Sequence, residues 1–101
     1  EKIESPYEEL MRYQNEINNG GHFQYFLNVE GNDDLEKEIS VLKTILPDSL
    51  KENFQNAYDA YTKLGEDKDA NDILYQCDKV FYDNEIDVDN LLKEYSKNIE
   101  L

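Results

Sequence analysis

The sequence predicts an all-α fold: a compact single-domain bundle of about five to six helices. Three observations predict it. Apolar residues recur at steps of three and four along nearly the whole chain, glycine and proline stand where those stripes stop, and no alternating run bounded by turn signals competes as a strand. A chain of 101 residues has the usual size of one domain and can bury one modest core. No internal repeat, linker or low-complexity tract divides it.

The elements follow in order. Ser5-Pro6-Tyr7-Glu8 opens a first helix, with Ser5 as cap, Pro6 at the first helical position and Glu8 completing a capping box. Tyr7, Leu10, Met11, Gln14 and Ile17 give its stripe, and Asn18-Asn19-Gly20-Gly21 stops it, since Gly and Asn tolerate positive φ. A short second helix fits His22 to Val29, with Phe23, Phe26 and Leu27 as its apolar face and Gly31 at its end. Asn32 or Asp33 caps a third, carrying Leu35, Ile39, Leu42 and Leu46 until Pro47 ends it, because the residue before a proline avoids helical geometry. The fourth is the clearest: Leu50, Phe54, Ala57, Tyr58, Tyr61 and Leu64 make a broad apolar face, Asp59 and Lys63 stand four apart in the favourable order, and Gly65 stops it. After a charged loop from Glu66 to Ala70, Asn71 to Tyr82 reads as a fifth helix with Leu74, Cys77 and Phe81 inward. A sixth begins at Asp87, with Ile86 and Leu91 placed for a hydrophobic staple and Leu91, Leu92, Tyr95 and Ile99 as its buried face.

Charge bounds the function. The formal net charge is −14, from 24 acidic and 10 basic residues, and Arg12 is the sole arginine. Such a surface repels phosphate, which argues against direct binding to nucleic acid or to an anionic membrane, and it attracts basic partners. No apolar run approaches the roughly 20 residues that span a bilayer, and no basic start followed by an apolar stretch marks a signal peptide. The chain opens on Glu1, not Met, so residues upstream stay open. A single cysteine, Cys77, forms no internal disulfide and fits a reducing, cytoplasmic location.

The segment Asn19-Gly20-Gly21-His22-Phe23-Gln24-Tyr25-Phe26-Leu27-Asn28, closing at Gly31, resembles the signature of a bacterial family of small domains that includes DNA mimic protein 19. That signature is an Asn-Gly-Gly turn, an aromatic-rich helix with Gln and two adjacent aromatics, then Asn and a nearby Gly. Asn19, Gly20, Gly21, Gln24, Tyr25, Phe26 and Asn28 match it. His22 departs from it, standing where the family usually has an aromatic, and Phe23 is expected to take over the packing. Further along, Ala57 and Ala60 before Leu64-Gly65, then Asp78, Phe81 and Tyr82 before an acidic turn, follow the family's order, so the likeness runs from about residue 8 to about residue 98. The resemblance implies an all-helical fold. For one member it implies a role as a surrogate for DNA that occupies a transcription factor's DNA-binding surface, and for relatives encoded near toxin systems an immunity role.

The acidic clusters are the candidate site. The stretch from Glu66 to Glu100, about a third of the chain, carries half the net charge. Asp67, Asp69 and Asp72 form one group; Asp83, Glu85, Asp87 and Asp89 form another. Duplex DNA carries a phosphate charge about every 1.7 Å of axis, so a mimic needs many carboxylates on one face. The blander reading is a solvated surface with acidic residues favoured at helix starts.

Other constellations carry less. Asp83, Glu85 and Asp87, with Glu94 twelfth, approach a calcium loop, but Val88 holds the sixth place that requires Gly. His22 and Cys77 lack zinc-ligand spacing, so His22 reads as a capped or partly buried residue at a helix start and Cys77 as a small core residue. Paired carboxylates such as Glu8 and Glu9 arise by chance in so acidic a chain, and Phe54, Tyr58 and Tyr61 read as core. No assembled catalytic motif, metal site or cofactor is expected. The expectation is a non-enzymatic domain that binds a basic protein, either a DNA-binding protein it sequesters as a DNA mimic or a toxin it neutralises. Some of the 8 tyrosines are candidate surface anchors, so a homodimer stays open.

Overall fold

The computed structural model describes residues 5–32 and 34–97, which form five helices and, among the described residues, no strand. They are α1 (Tyr7–Asn32), α2 (Leu35–Ile45), α3 (Asp48–Thr62), α4 (Ala70–Asp83) and α5 (Glu85–Ser96). The all-α bundle predicted from periodicity is the one observed. Its α1 contains both of the first two predicted helices, joined across a kink at Gly20 and Gly21. Gly21 has φ 80°, the left-handed region that a Cβ disfavours. A Cβ there would also stand 2.4 Å from the Asp78 carboxylate of α4. The Asn-Gly-Gly segment therefore bends the helix where Asp78 of α4 lies against it.

The core is built around Tyr13. Its ring meets Tyr25, Phe54 and Phe81 edge-on, each at 5.2 Å between centroids, so that one residue joins both arms of α1 to α3 and α4. Leu10 and Ile17 flank it on the first arm, Leu50 and Ala57 on α3, Leu74 and Cys77 on α4, all buried. Full burial of a large apolar side chain contributes roughly 1.5–3 kcal/mol, so this cluster dominates the fold's stability. α3 and α4 pack most extensively, as expected of two helices joined by a short loop.

Several expectations are corrected. Phe23 and Leu27, assigned to the inward face of the second arm, are 45% and 49% exposed. The kink turns that arm so that His22, Tyr25, Phe26 and Val29 face inward, and His22, not Phe23, fills the position after the second glycine. Helical geometry continues past Gly31 to Asn32. The cap of α2 is Asp34, whose carboxylate accepts from the Lys37 N–H at 3.2 Å, in place of Asn32; Asp33 lies outside the described residues. α5 begins at Glu85, two residues early, which puts Ile86 inside the helix and 69% exposed, so the staple does not form. Val88 is its buried residue, with Leu91, Leu92 and Tyr95 packed at the edge of the core; Ile99 lies outside the described residues. Asp59 accepts from Gln55 at 2.9 Å and makes no ion pair with Lys63.

Candidate functional site

Two buried polar clusters fix the scaffold. At the kink, Asp78 accepts from the His22 backbone N–H at 2.8 Å and from its ring Nδ1 at 2.6 Å, both through one carboxylate oxygen. A carboxylate only accepts, so Nδ1 carries a proton, and in the neutral ring Nε2 accepts from the Tyr13 hydroxyl at 2.7 Å. His22 is wholly enclosed rather than partly buried. The line Tyr13–His22–Asp78 therefore fastens α1 to α4 and presents no ring edge to solvent. Burial, reinforced by the charge of Asp78, pushes the Tyr13 hydroxyl well up from its ordinary range.

In the second cluster, Glu38 of α2 accepts from the Tyr25 hydroxyl at 2.8 Å and pairs with Arg12, which also bridges to Glu8 at 3.4 Å. Burial raises the Glu38 carboxyl above its usual value against the opposing pull of Tyr25 and Arg12, and nearby Glu9 adds to the rise. Glu9 is itself buried, and its Oε1 meets no hydrogen-bond partner among the described residues. Glu8 and Glu9, read from the sequence as a chance pair, differ in placement: Glu9 falls on the inner side of α1.

The predicted site residues divide between the two ends of α4. Its 14 residues span about 21 Å. Asp67, Asp69 and Asp72 sit at its N-terminal end, all exposed. There the Asp67 carboxylate accepts from the Asp69 N–H at 2.9 Å, while Asp69 and Asp72 make no side-chain hydrogen bond among the described residues. Asp83, Glu85, Asp87 and Asp89 sit at the other end, where α4 meets α5. Two of these are held down: Glu85 accepts from Asn18 at 2.8 Å and Gln14 at 3.2 Å, and Asp89 from Gln14 at 2.7 Å. Asp87 lines a cleft beside Lys93 and Lys97, where charge is mixed. The Asp83–Glu94 segment forms the end of one helix and the start of the next, not a loop that folds round an ion.

The N-terminal group belongs to a larger feature. Between α3 and α4 runs an open groove of about 620 Å³ with Asp67, Asp69 and Asp72 at one end and Asp59 on its wall. Ala60, Ile73, Cys77 and Val80 give it an apolar floor, and among the described residues Lys63 is the one cation that lines it. Asn53, Asn56 and Val80 also line a second hollow of about 300 Å³, which carries the seam on to Asp48 and Glu52. Asn53 is pinned by donating to the Cys77 carbonyl at 2.9 Å. Burial, with the charge of Asp78, pushes the Cys77 thiol up to about 11, so it stays protonated at neutral pH. Sequence reasoning missed Asp48, Glu52 and Asp59 as site residues. Their signal was present: spaced four and seven apart on a helix, they share one stripe.

A family model described as DMP19-like protein matches residues 9–99. The chain belongs to the DMP19-like family. The match spans the kink, both polar clusters and the α3–α4 seam, and it agrees with the expectation raised by the Asn-Gly-Gly segment. No curated protein and no solved structure matches the chain. Among the described residues, no helix is long and apolar enough to cross a membrane.

Proposed function

We propose that this chain is a non-enzymatic interaction domain that binds a basic protein surface, acting as a DNA mimic that sequesters a DNA-binding protein in the cytoplasm. One observation carries the reading. A member of the DMP19-like family with a net charge of −14 displays exposed carboxylates along the α3–α4 seam and at both ends of α4, on a scaffold fastened from within. Asp67, Asp69 and Asp72, together with Asp83, Glu85, Asp87 and Asp89, contribute to that surface, the first group more freely than the second. A rigid helix carrying charges some 21 Å apart offers a basic protein surface what a short stretch of duplex offers it: fixed negative charge with little ordering cost on binding.

The test is binding to a panel of purified basic DNA-binding proteins across a salt series. Affinity for the true partner falls steeply as salt rises, because screening removes the attraction, and duplex DNA bearing that partner's site competes for it. Salt-independent binding, or a ternary complex with DNA still bound, would overturn the reading.

A further inference from the structure

We infer that the α3–α4 seam is a docking groove for a basic amphipathic helix of the partner, one that sets apolar side chains on the groove floor and lysines or arginines along its edges. The inference rests on the proposed function and narrows it from a charged surface to a place and a ligand chemistry.

Length and shape come first. α3 has 15 residues, about 22 Å, and the groove with its continuation follows most of that length. An open channel of this form suits an extended occupant laid along it better than a small molecule, which is normally enclosed on most sides. The floor comes next. Ile73 and Val80 are 39% and 36% exposed, seven apart on α4, with Cys77 between them. That is the spacing at which a helix in a groove places successive apolar anchors.

The edges decide the charge of the occupant. Asp48, Glu52 and Asp59 run along α3, and Asp67, Asp69 and Asp72 close one end. Among the described residues Lys63 alone opposes them within the groove, while Lys51 leans toward Asp48 at 3.9 Å. A second copy of this chain would bring the same surplus of carboxylates and be repelled, and nucleic acid would be repelled for the same reason. A basic helix with an apolar stripe satisfies floor and edges together.

The probe is a synthetic helical peptide of about four turns with lysines on both flanks, leucines at i, i+4 and i+7, and one terminal tryptophan. The chain has no tryptophan, so that fluorophore reports the peptide alone. The control replaces the leucines with alanine and keeps charge, helicity and fluorophore. The expected result is at least tenfold tighter binding of the leucine peptide, with amide shift changes centred on Asn56, Ile73, Gln76 and Val80. In the Ile73→Ser/Val80→Ser variant the preference falls below threefold while the alanine peptide binds unchanged. Both substituted residues are partly exposed, and shift mapping on the unaltered protein gives a second reading should the variant melt early. Equal binding of both peptides, or shifts centred on the α4–α5 junction, would overturn the groove and leave the DNA-mimic reading standing. No binding of either peptide at low salt would overturn both. A concentration-dependent dimer that perturbs the groove residues would give the site to a second copy and overturn the partner named here.

Discussion

Asp72 and Asp78 lie six residues apart on the same helix and do opposite things. Six steps of about 100° put them on different faces of α4. Asp78 turns toward α1 and holds both the backbone and the ring of His22. Asp72 turns toward the seam, exposed, and its side chain makes no hydrogen bond or ion pair among the described residues. The difference teaches that in so acidic a chain angular position, not residue type, separates a carboxylate that builds the fold from one free to meet a partner. Glu38 belongs with Asp78; Asp67 and Asp69 belong with Asp72.

The largest break in that comparison comes at Gly21. Gly21→Ala forces a side chain into positive φ and drives its Cβ against the Asp78 carboxylate, with only 2.4 Å between them. The expected loss is about 3 kcal/mol, from backbone strain and the displaced hydrogen bonds together. Urea denaturation measures it, and a loss under 1 kcal/mol would show that the kink relaxes freely.

Next in size is the histidine itself. His22→Leu leaves the Tyr13 hydroxyl and Asp78 without their buried partner and costs about 2–3 kcal/mol. A double-mutant cycle with Asp78→Ala measures the coupling, expected at about 1–2 kcal/mol because the two side chains share one network. Additive losses would mean that His22 acts through packing alone.

Glu38 gives a pH signature of smaller size. Its carboxyl is raised by burial above the ordinary Glu value of 4.5. A raised carboxyl holds its proton more tightly folded than unfolded. Its contribution is therefore fully present below the unfolded value and is lost as pH rises through the folded one. Stability should thus increase as pH falls from neutrality toward 4.5, and Glu38→Gln should flatten that slope. Thermal melts across this range check the sign; a wild-type protein that loses stability over the same range would refute it.

The stripes of α3 and α4 were legible in the sequence because one period of 3.6 governs each helix from end to end. Leu50, Phe54 and Ala57, like Leu74, Cys77 and Phe81, could be read off directly. The second arm of α1 was not legible, since its phase depends on how far Gly20 and Gly21 turn the chain. That turn moved the inward face from Phe23 and Leu27 to His22 and Tyr25. Histidine is a poor predictor of burial by type; only the partners at both ring nitrogens make it a core residue here. In α5 one apolar position was misjudged, because Ile86 and Val88 are equally apolar and only the helix start at Glu85 selects between them. The candidate site was legible where chain-local clustering coincided with a helix end, as at Asp67, Asp69 and Asp72. It was hidden where the edge comes from another helix, as at Asp48, Glu52 and Asp59, which adjoin those aspartates only once α3 and α4 have packed.

The smallest effect on stability should give the clearest division between the two ends of α4. At the N-terminal end, Asp67→Asn/Asp69→Asn/Asp72→Asn removes three exposed charges. The change in stability should be small, with losses at the helix start and in the Asp67 turn offset by reduced repulsion, so the net stays within roughly 0.5 kcal/mol. The same variant should bind a basic partner about fivefold more weakly at low salt, an effect that fades as salt rises. At the other end, Glu85→Ala/Asp89→Ala frees the Gln14 and Asn18 amides that tie α5 to α1. Stability should fall by about 1 kcal/mol while binding weakens less than twofold, because those carboxylates are already engaged within the chain. Melting curves and salt-dependent titrations on the two variants separate the cases. If the second variant lost more affinity than the first, the partner would be reading the α4–α5 junction, and the division of labour along α4 would run the other way.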